Sequence, residues 1–516
     1  MDSNRIIILR QKRFATKKSS TYKKYIVLII CLLFICCSEH DVESVSTDPS
    51  QGQGSFAQYD STYNASHNLY VVDDDTTAYS PQKYHAPLST EEKAIGSALN
   101  EYAVKMLADY SRTNDNTILS PVSATMLYSL MANFTDDKKS GNAFKESMGI
   151  GLAKNEDINS FFRKYINKKS ESAKKNSENK GISFASNLWM DKKSAVYNSF
   201  LSTSKFYGFG VKGMDIQNNS SIDEINQVVN GHMGTSDVFI KQSVLQSAKP
   251  LVTSSMSFKG EWDEKFRLDS AQTNIFNNAN GTKMVCKQLC ATRKGKYANF
   301  GDFEMIEIPY KGNEYSMYIV LPHSEDSLEK SLVALNNKGI INCMDFVSDT
   351  NRTFHGEYLI QRDTTTAYGT FNVVDTLITD TLIDIRIPKF KLQASTGLNP
   401  QNSGTNSATK IMYQTNLPKV SPNGYKLSNV FQVCNFEVSE ESTSASSGGT
   451  IIVITGGTSH NYSIIPSHDA ATAPKGRKIK DTVVVPFHIM SPFAVFIREN
   501  EIGTILFACS IKTINN

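Results

Sequence analysis

The first long stretch with a regular hydrophobic pattern begins at Ser89. Ser89 and Glu92 stand three positions apart in the capping-box pattern that starts many helices. Apolar residues then recur at helical spacing, at Ala94, Ile95, Leu99, Tyr102, Ala103, Met106 and Leu107. This spacing places them on one face of a helix, so the pattern predicts an amphipathic helix that runs to about Tyr110.

Strand-like segments follow mainly in the C-terminal half, between helical stretches and without a fixed repeat. The strand candidates are Met305–Leu321, Leu382–Leu392, Val430–Val438, Phe493–Arg498 and Gly503–Ser510. This order predicts an α+β fold. Two polar segments, 399–423 and 442–480, are predicted to be exposed and irregular. The second is too long for an ordinary connection, so it needs a functional explanation or is disordered.

The N-terminus combines a basic head with a short apolar run, Tyr25–Ile35. A membrane-spanning helix needs about 20 apolar residues, so residues 1–36 are predicted to be an export signal that is removed. The sequence around Cys37 resembles a bacterial lipobox, in which a cysteine after such a run is lipidated; Phe34 and Ile35 depart from its small residues. We expect an exported envelope lipoprotein at a bacterial outer membrane or cell surface. Ordinary secretion and a retained signal anchor are the alternatives.

The segment 37–88 connects this signal to the folded part. It is rich in Ser, Thr, Asp, Gln and Gly and has no sustained helical period. The composition predicts a flexible acidic tether with a root-mean-square span of roughly 40 Å. Two acyl chains on Cys37 would supply the two chains that stable membrane anchoring needs. The folded domain is then predicted to occupy 89–516.

Composition and charge exclude several classes of protein. Hydrophobic residues make up 40% and charged residues 20% of the 516, as in ordinary folded proteins. Lys and Arg total 54 against 51 Asp and Glu, a formal net charge of +3. The charge therefore indicates no nucleic-acid partner.

Searching the sequence for catalytic chemistry finds little. The motifs HExxH, GxSxG, GxxxxGK[ST] and GxGxxG are missing, and Ser459 beside His460 cannot form a fixed nucleophile and base. Five cysteines follow the signal, at 286, 290, 343, 434 and 509. Cys286 and Cys290 lack the further Cys or His ligands of a zinc site, so we expect buried free thiols. The sequence predicts no catalytic residue, no metal and no cofactor.

An ordered series of short motifs runs through the folded part. They are Asn116–Ser123 (N-x-x-x-S-P-x-S), Ala185–Leu188 (from A-N-x-L/I-F), Ile225–Val229 (I-N-x-W-V, with Val228 for Trp), Phe258–Phe266 (F-K-G-x-W-x-x-x-F), Glu307–Pro322 (E-L-P-Y-K-G…S-M…L-P) and Pro492–Phe507. In this order they resemble the serpins, a family of protease inhibitors, across roughly 89–516. The resemblance implies helices packed around a large mixed sheet A, with sheets B and C and an exposed reactive-centre loop at about 442–485.

The resemblance also implies a mechanism that depends on the start of this loop. After a protease cuts the loop, the loop inserts into the main sheet and carries the esterified protease with it. The hinge, where the family has E-E-G-T and small residues, is Glu440, Glu441, Ser442, Thr443, Ser444 and Ala445. Small side chains can enter a sheet, whereas a charge would be buried at a high cost in free energy. Ser442 replaces the usual glycine, a change that predicts slower insertion without forbidding it.

Five residues match the family's sheet-opening region. Ser120 and Pro121 begin a core helix, and Trp262 matches the tryptophan at the top of the sheet. Ser254 and Gln432 stand where the family has Asn and His. Both replacements can form hydrogen bonds, so we expect a buried polar network satisfied by these different groups.

Two counts place the reactive bond differently. Seventeen positions counted from Glu440 give the bond Gly456–Gly457, whereas counting back from Phe487 gives Asp481–Thr482. Slack between the sheet and a captured protease would lower the force on it, which favours the hinge-side bond. The alternative is a bond in the basic cluster Lys475, Arg477 and Lys478, where cleavage would more readily inactivate the protein.

The sequence thus predicts a suicide-substrate inhibitor of serine or cysteine endopeptidases rather than an enzyme. A non-inhibitory serpin-like binding module is the alternative, and a hydrolase is a remote third. We expect a monomer whose partners are target proteases and which meets the membrane only through its lipid. The loop offers aliphatic, glycine and basic bonds, so the sequence does not specify the target protease.

Overall fold

The computed structural model describes residues 69–71, 87–440 and 478–514, apart from internal gaps of at most nine residues. The predicted signal, Cys37, most of the tether and residues 441–477 lie outside the described residues. The described helices are α1 Thr90–Tyr110, α2 Pro121–Ala132, α3 Lys138–Ser147, α4 Asn155–Lys175, α5 Asn198–Phe206, α6 Ser220–Met233, α7 Leu328–Lys338, α8 Ile340–Ser348 and α9 Ser407–Gln414.

Twenty strands alternate with these helices along the described chain. They are β1 Leu69–Val71, β2 Thr117–Leu119, β3 Gly181–Asp191, β4 Ala195–Tyr197, β5 Phe209–Met214, β6 Leu251–Lys259, β7 Arg267–Asp269, β8 Ile275–Asn277, β9 Lys283–Val285, β10 Gln288–Lys294, β11 Lys296–Asn299, β12 Phe303–Pro309, β13 Tyr315–Pro322, β14 His355–Thr366, β15 Gly369–Pro388, β16 Phe390–Gly397, β17 Asn429–Val438, β18 Lys478–His488, β19 Phe493–Glu499 and β20 Ile505–Ile511. The fold is α+β, as the sequence predicted.

A five-stranded mixed sheet with the order β16-β17-β6-β3-β5 carries the hinge. Its neighbouring strands pair antiparallel (β16 with β17), parallel (β17 with β6), antiparallel (β6 with β3) and parallel (β3 with β5). β17 ends at Val438, two residues before Glu440, so this end of the sheet is called the hinge end below.

The central core lies largely in a second, six-stranded sheet with the order β11-β12-β13-β19-β20-β2. All its strand pairs are antiparallel. Every residue of β13 and β20 is buried, so both faces of these strands are covered. Helix α2 packs beside β20 and is buried along its whole length.

A third sheet receives the chain where it returns after residue 477. Its order is β14-β15-β10-β7, and β18 pairs parallel with the twenty-residue strand β15. β15 pairs with β10 over Leu382–Pro388 and with β14 over Gly369–Asp380. The first half of β15 therefore extends past the end of β10 as a hairpin arm, and β18 begins on this arm at Lys478.

Several predicted elements are confirmed, and others are wrong at identifiable points. The capping box at Ser89 and the helix to Tyr110 are confirmed, as are the strands at 430–438 and 493–498. The predicted strand 305–321 is two strands, because Gly312 and Asn313 adopt positive φ in a turn. The candidate 382–392 is divided at Lys389, and β15 begins thirteen residues earlier than predicted.

The two segments predicted to be irregular also contain regular structure. Helix α9 lies inside 399–423, where Ala408, Thr409 and Met412 are buried against the core. The segment 442–480 and the loop predicted to reach 485 end earlier, because Lys478 starts β18. Within the predicted tether, β1 pairs antiparallel with β4. Among the described residues, no helix is both long and apolar enough to cross a membrane.

Candidate functional site

The central feature of the candidate site is a parallel contact in the five-stranded sheet. β17 and β6 lie side by side over seven residue pairs, from Asn429↔Leu251 to Asn435↔Ser257. We call this ladder the seam. Both strands run towards the hinge end, so a chain that turned back after Glu440 and entered the seam would run antiparallel to both.

One side of the seam is held to helix α2 through Gln432. Ser120 caps α2 and Pro121 occupies its first turn, the position where a proline costs no hydrogen bond. The Ser120 amide donates to Gln432 Oε1 at 3.1 Å, and Gln432 Nε2 donates to the Ser120 carbonyl and to Ser123 Oγ, each at 2.8 Å. Gln432 is only 1% exposed, so these three bonds replace the water that its amide loses on burial.

The other side of the seam has a separate polar contact. Ser254 lies directly opposite Gln432 in the ladder, and its hydroxyl shares a hydrogen bond of 2.9 Å with Ser186 on β3. Gln432 thus bonds towards α2, and Ser254 bonds towards β3. These side-chain bonds lie on either side of the seam, so they would survive if β17 and β6 moved apart.

Trp262 holds the chain at the hinge end. Its Nε1 donates to the carbonyl of Ser439 at 2.9 Å, and its indole is 5% exposed. The indole stacks on Tyr310, with ring centroids 4.5 Å apart and planes at 14°, and meets Phe266 edge-on. A rigid aromatic group therefore fixes the backbone one residue before the hinge.

The first hinge residue, Glu440, is paired with Lys389 in the short link between β15 and β16. Lys389 Nζ lies 2.8 Å from Glu440 Oε2 and 3.1 Å from Oε1. The hydrogen bond from Lys389 holds the pKa of the Glu440 carboxyl below its usual range. Both side chains are partly exposed, which limits the strength of the ion pair.

The far end of the reactive loop is held by the third sheet. β18 pairs with β15 from Lys478↔Thr376 to His488↔Arg386. Asp481 and Thr482, the bond reached by counting back from Phe487, lie inside this ladder. Phe487 is fully buried and meets Tyr297 edge-on, so the C-terminal part of β18 is fastened to the core.

The structure brings together all five residues of the predicted sheet-opening region and Glu440 around one sheet. Glu441, Ser442, Thr443, Ser444, Ala445, Gly456, Gly457, Lys475 and Arg477 lie outside the described residues. Sequence reasoning missed Lys389, Ser123 and Ser186 as partners. Ser123 and Ser186 stand within quoted motifs, but their spacing does not reveal which distant side chain each one meets.

The five cysteines of the folded part are buried and unpaired, as the sequence predicted. Burial raises the pKa of Cys343 to about 11 and that of Cys434 to about 12. Thiols held protonated in this way are poor nucleophiles and metal ligands. In the described part of the chain, no cluster of His, Cys, Asp and Glu is suited to hold a metal ion.

Comparisons with known proteins agree with this geometry. Antithrombin-III of Mus musculus is 24% identical over 412 residues, which cover 78% of this chain and 77% of that protein. An uncharacterized serpin-like protein of Methanosarcina mazei is 24% identical over 335 residues, 64% of this chain and 66% of that protein. The crystal structure of native protease nexin-1 with heparin matches with a TM-score of 0.54 and 20% identity, over 83% of this chain and 100% of that chain.

The family model described as Serpin (serine protease inhibitor) matches residues 97–354 and 363–513. The short interval between the two matched ranges falls within β14, in the hairpin arm. The matched ranges cover most of the chain and include the seam, α2, Trp262 and β18. The chain therefore belongs to the serpin family.

Proposed function

We propose that the chain is a suicide-substrate inhibitor of serine endopeptidases, with cysteine endopeptidases as further targets. The observation that carries the proposal is the seam, where two parallel strands lie in contact beside the strand end from which the hinge leaves. A protease would cut the loop and remain esterified to the new C-terminus. The hinge would then enter the seam from the end marked by Glu440 and Trp262.

The topology of the sheet supplies a driving force for this step. Entry of the loop breaks one parallel ladder and forms two antiparallel ones, because the loop runs opposite to both β17 and β6. Antiparallel pairing is slightly more stable per residue than parallel pairing. At about 1 kcal/mol net for each added hydrogen bond, a ladder of some ten pairs contributes on the order of 10 kcal/mol.

The distance that the loop end travels follows from the strand spacing. A segment of fifteen residues, Ser442–Gly456, spans roughly 50 Å at about 3.3 Å per residue. β17 has ten residues, so this segment is long enough to run the full length of the sheet. A protease held at its end would be carried from the hinge end to the opposite end of the sheet.

This geometry favours Gly456–Gly457 over the alternative bonds. A bond near Lys475 or Arg477 would leave about twenty residues of slack between the inserted strand and the protease. The bond after Lys478 is followed by Ile479, which is paired with Leu377 in the β18 ladder. A protease binds its substrate as an extended free strand, so a residue held in a sheet is a poor site of attack.

A protease panel tests the proposal. The protein is incubated with serine and cysteine endopeptidases, and a denaturing gel is searched for a covalent complex. Melting curves are recorded before and after the loop is cut by a protease that releases it. A complex together with a large rise in melting temperature is the expected result. Cleavage with neither would leave the non-inhibitory binding module as the function.

We also propose that the mature protein is anchored through a lipid on Cys37 and is held at a bacterial cell envelope. The basic head, the short apolar run and the acidic segment after the cysteine support this proposal. A fatty-acid probe should label the wild type and leave Cys37→Ala unlabelled. Label that persists in Cys37→Ala would move the site to Cys36, and no label in the wild type would indicate ordinary secretion.

A further inference from the structure

Helix α6 lies over the seam on the face of the sheet away from Gln432. It contacts β6, β3 and also β17, the strand on the far side of the seam. A separate hydrophobic cluster joins these elements: Ile222, Ile225 and Val229 of α6 share it with Leu251 of β6 and Val433 of β17. Separation of β6 from β17 must therefore disturb the packing beneath α6.

Trp189 of β3 is the largest side chain in this cluster and is fully buried. Its Nε1 donates to Thr253 Oγ1 on β6 at 2.8 Å, and Lys212 Nζ of β5 lies 5.4 Å from the ring centroid. One indole thus contacts groups on three adjacent strands and shares their cluster with α6. This makes it the main support on which the helix rests.

The sequence explains why a tryptophan stands on the strand. The I-N-x-W-V motif of the resemblance places a tryptophan on the helix, but this chain has Val228, which packs against the same cluster. The A-N-x-L/I-F motif places a phenylalanine on the strand, where this chain has Trp189. The large side chain has moved from the helix to the sheet, while the space between the two elements stays filled.

We propose that Trp189 is a positioning residue that seats α6 across the seam and thereby sets how fast the seam opens. This inference rests on the proposed insertion function. A smaller side chain at 189 leaves space under α6, and the helix then resists separation of β6 and β17 less. A large side chain returned to the helix at 228 fills the same space and restores the resistance.

The test measures how fast the full-length protein takes up a synthetic peptide with the sequence of Ser442–Gly456, followed by native gel with a labelled peptide. Trp189→Phe should take up the peptide about tenfold faster than the wild type, the size expected for partial loss of a buried side chain. Trp189→Phe/Val228→Trp should return to the wild-type rate. Phe276→Leu is the matched control, because Phe276 is fully buried and packs against Phe493, outside this cluster.

Hydrogen exchange of the α6 amides, measured on the same proteins, should rise in Trp189→Phe and fall again in the double variant. An unchanged uptake rate in Trp189→Phe, equal acceleration by Phe276→Leu, or no rescue by Val228→Trp would each overturn the inference. Failure of the proposed function looks different. In that case the wild type forms no protease complex and takes up no peptide, whatever α6 does.

Discussion

Gln432 is the side chain through which β17 is fastened to the start of α2, and Gln432→Leu removes that attachment with little change in volume. The Ser120 carbonyl keeps a bond from Ser123 Oγ, at 3.1 Å, which also satisfies that hydroxyl. The Ser120 amide loses the bond to Gln432 Oε1. An unpaired buried N–H costs about 1–3 kcal/mol, and the two lost bonds from Nε2 bring the expected destabilisation to about 2–3 kcal/mol.

Melting curves of the uncut and the loop-cut protein measure this effect. At roughly 2 °C per kcal/mol for a large domain, Gln432→Leu should lower the melting temperature by about 4–6 °C. All three bonds lie on the β17 side of the seam, so the cut and uncut forms should lose the same amount. The rise in melting temperature on cleavage should therefore be unchanged.

Ser254→Ala is the matched change on the other side of the seam. It removes one neutral hydrogen bond to Ser186 and should cost about 1 kcal/mol. The two sites share no printed-side partner across the ladder beyond the backbone, so their effects should add to within about 0.5 kcal/mol in the double variant. A coupling well above that value, or a loss confined to the uncut form, would refute the assignment of these bonds to separate sides.

Three further predictions concern the hinge and the loop. Lys389→Met should cost the uncut protein about 0.5–1 kcal/mol at neutral pH; because the Glu440 pKa is lowered in the fold, the wild-type advantage should disappear as pH falls below about 4.3, which melting curves against pH would reveal. Thr443→Arg should turn the inhibitor into a substrate, since insertion would bury an unpaired charge at a cost of several kcal/mol, about 3–5; Thr443→Val should still form the covalent complex on a gel, and equal behaviour of the two variants would mean that residue 443 does not insert. Deletion of 458–477 should preserve inhibition, measured as complex formed per protease, because Ser442–Gly456 and β18 stay intact; loss of inhibition would place the working bond in the deleted segment.

Local signals in the sequence specified the elements that bound the site. The helix after Ser89 and the strand before Glu440 were both predicted to within about one residue. A capping box and an apolar run act through neighbours in the chain, so a short window contains the information. The order of motifs also identified the family and the positions of Ser120, Trp262 and Gln432.

Some errors came from local signals that conflict with one another. The apolar pattern of 305–321 continues across a turn, and the turn residues Gly312 and Asn313 were outweighed by the strand residues on both sides. The polar composition of 399–423 concealed α9, which is held by burial of a few side chains against the core. In both cases the average over a window hid a few residues that decide the backbone path.

The sequence by itself determined the family, the hinge composition and the small side chains that insertion requires. Only the tertiary structure decided that β17 and β6 lie in contact, that Lys389 meets Glu440, and that Trp189 sits beneath α6. These contacts join residues far apart in the chain, and each depends on how whole sheets and helices pack. Pairing between distant segments is set by the burial summed over the fold, which no short stretch of sequence contains.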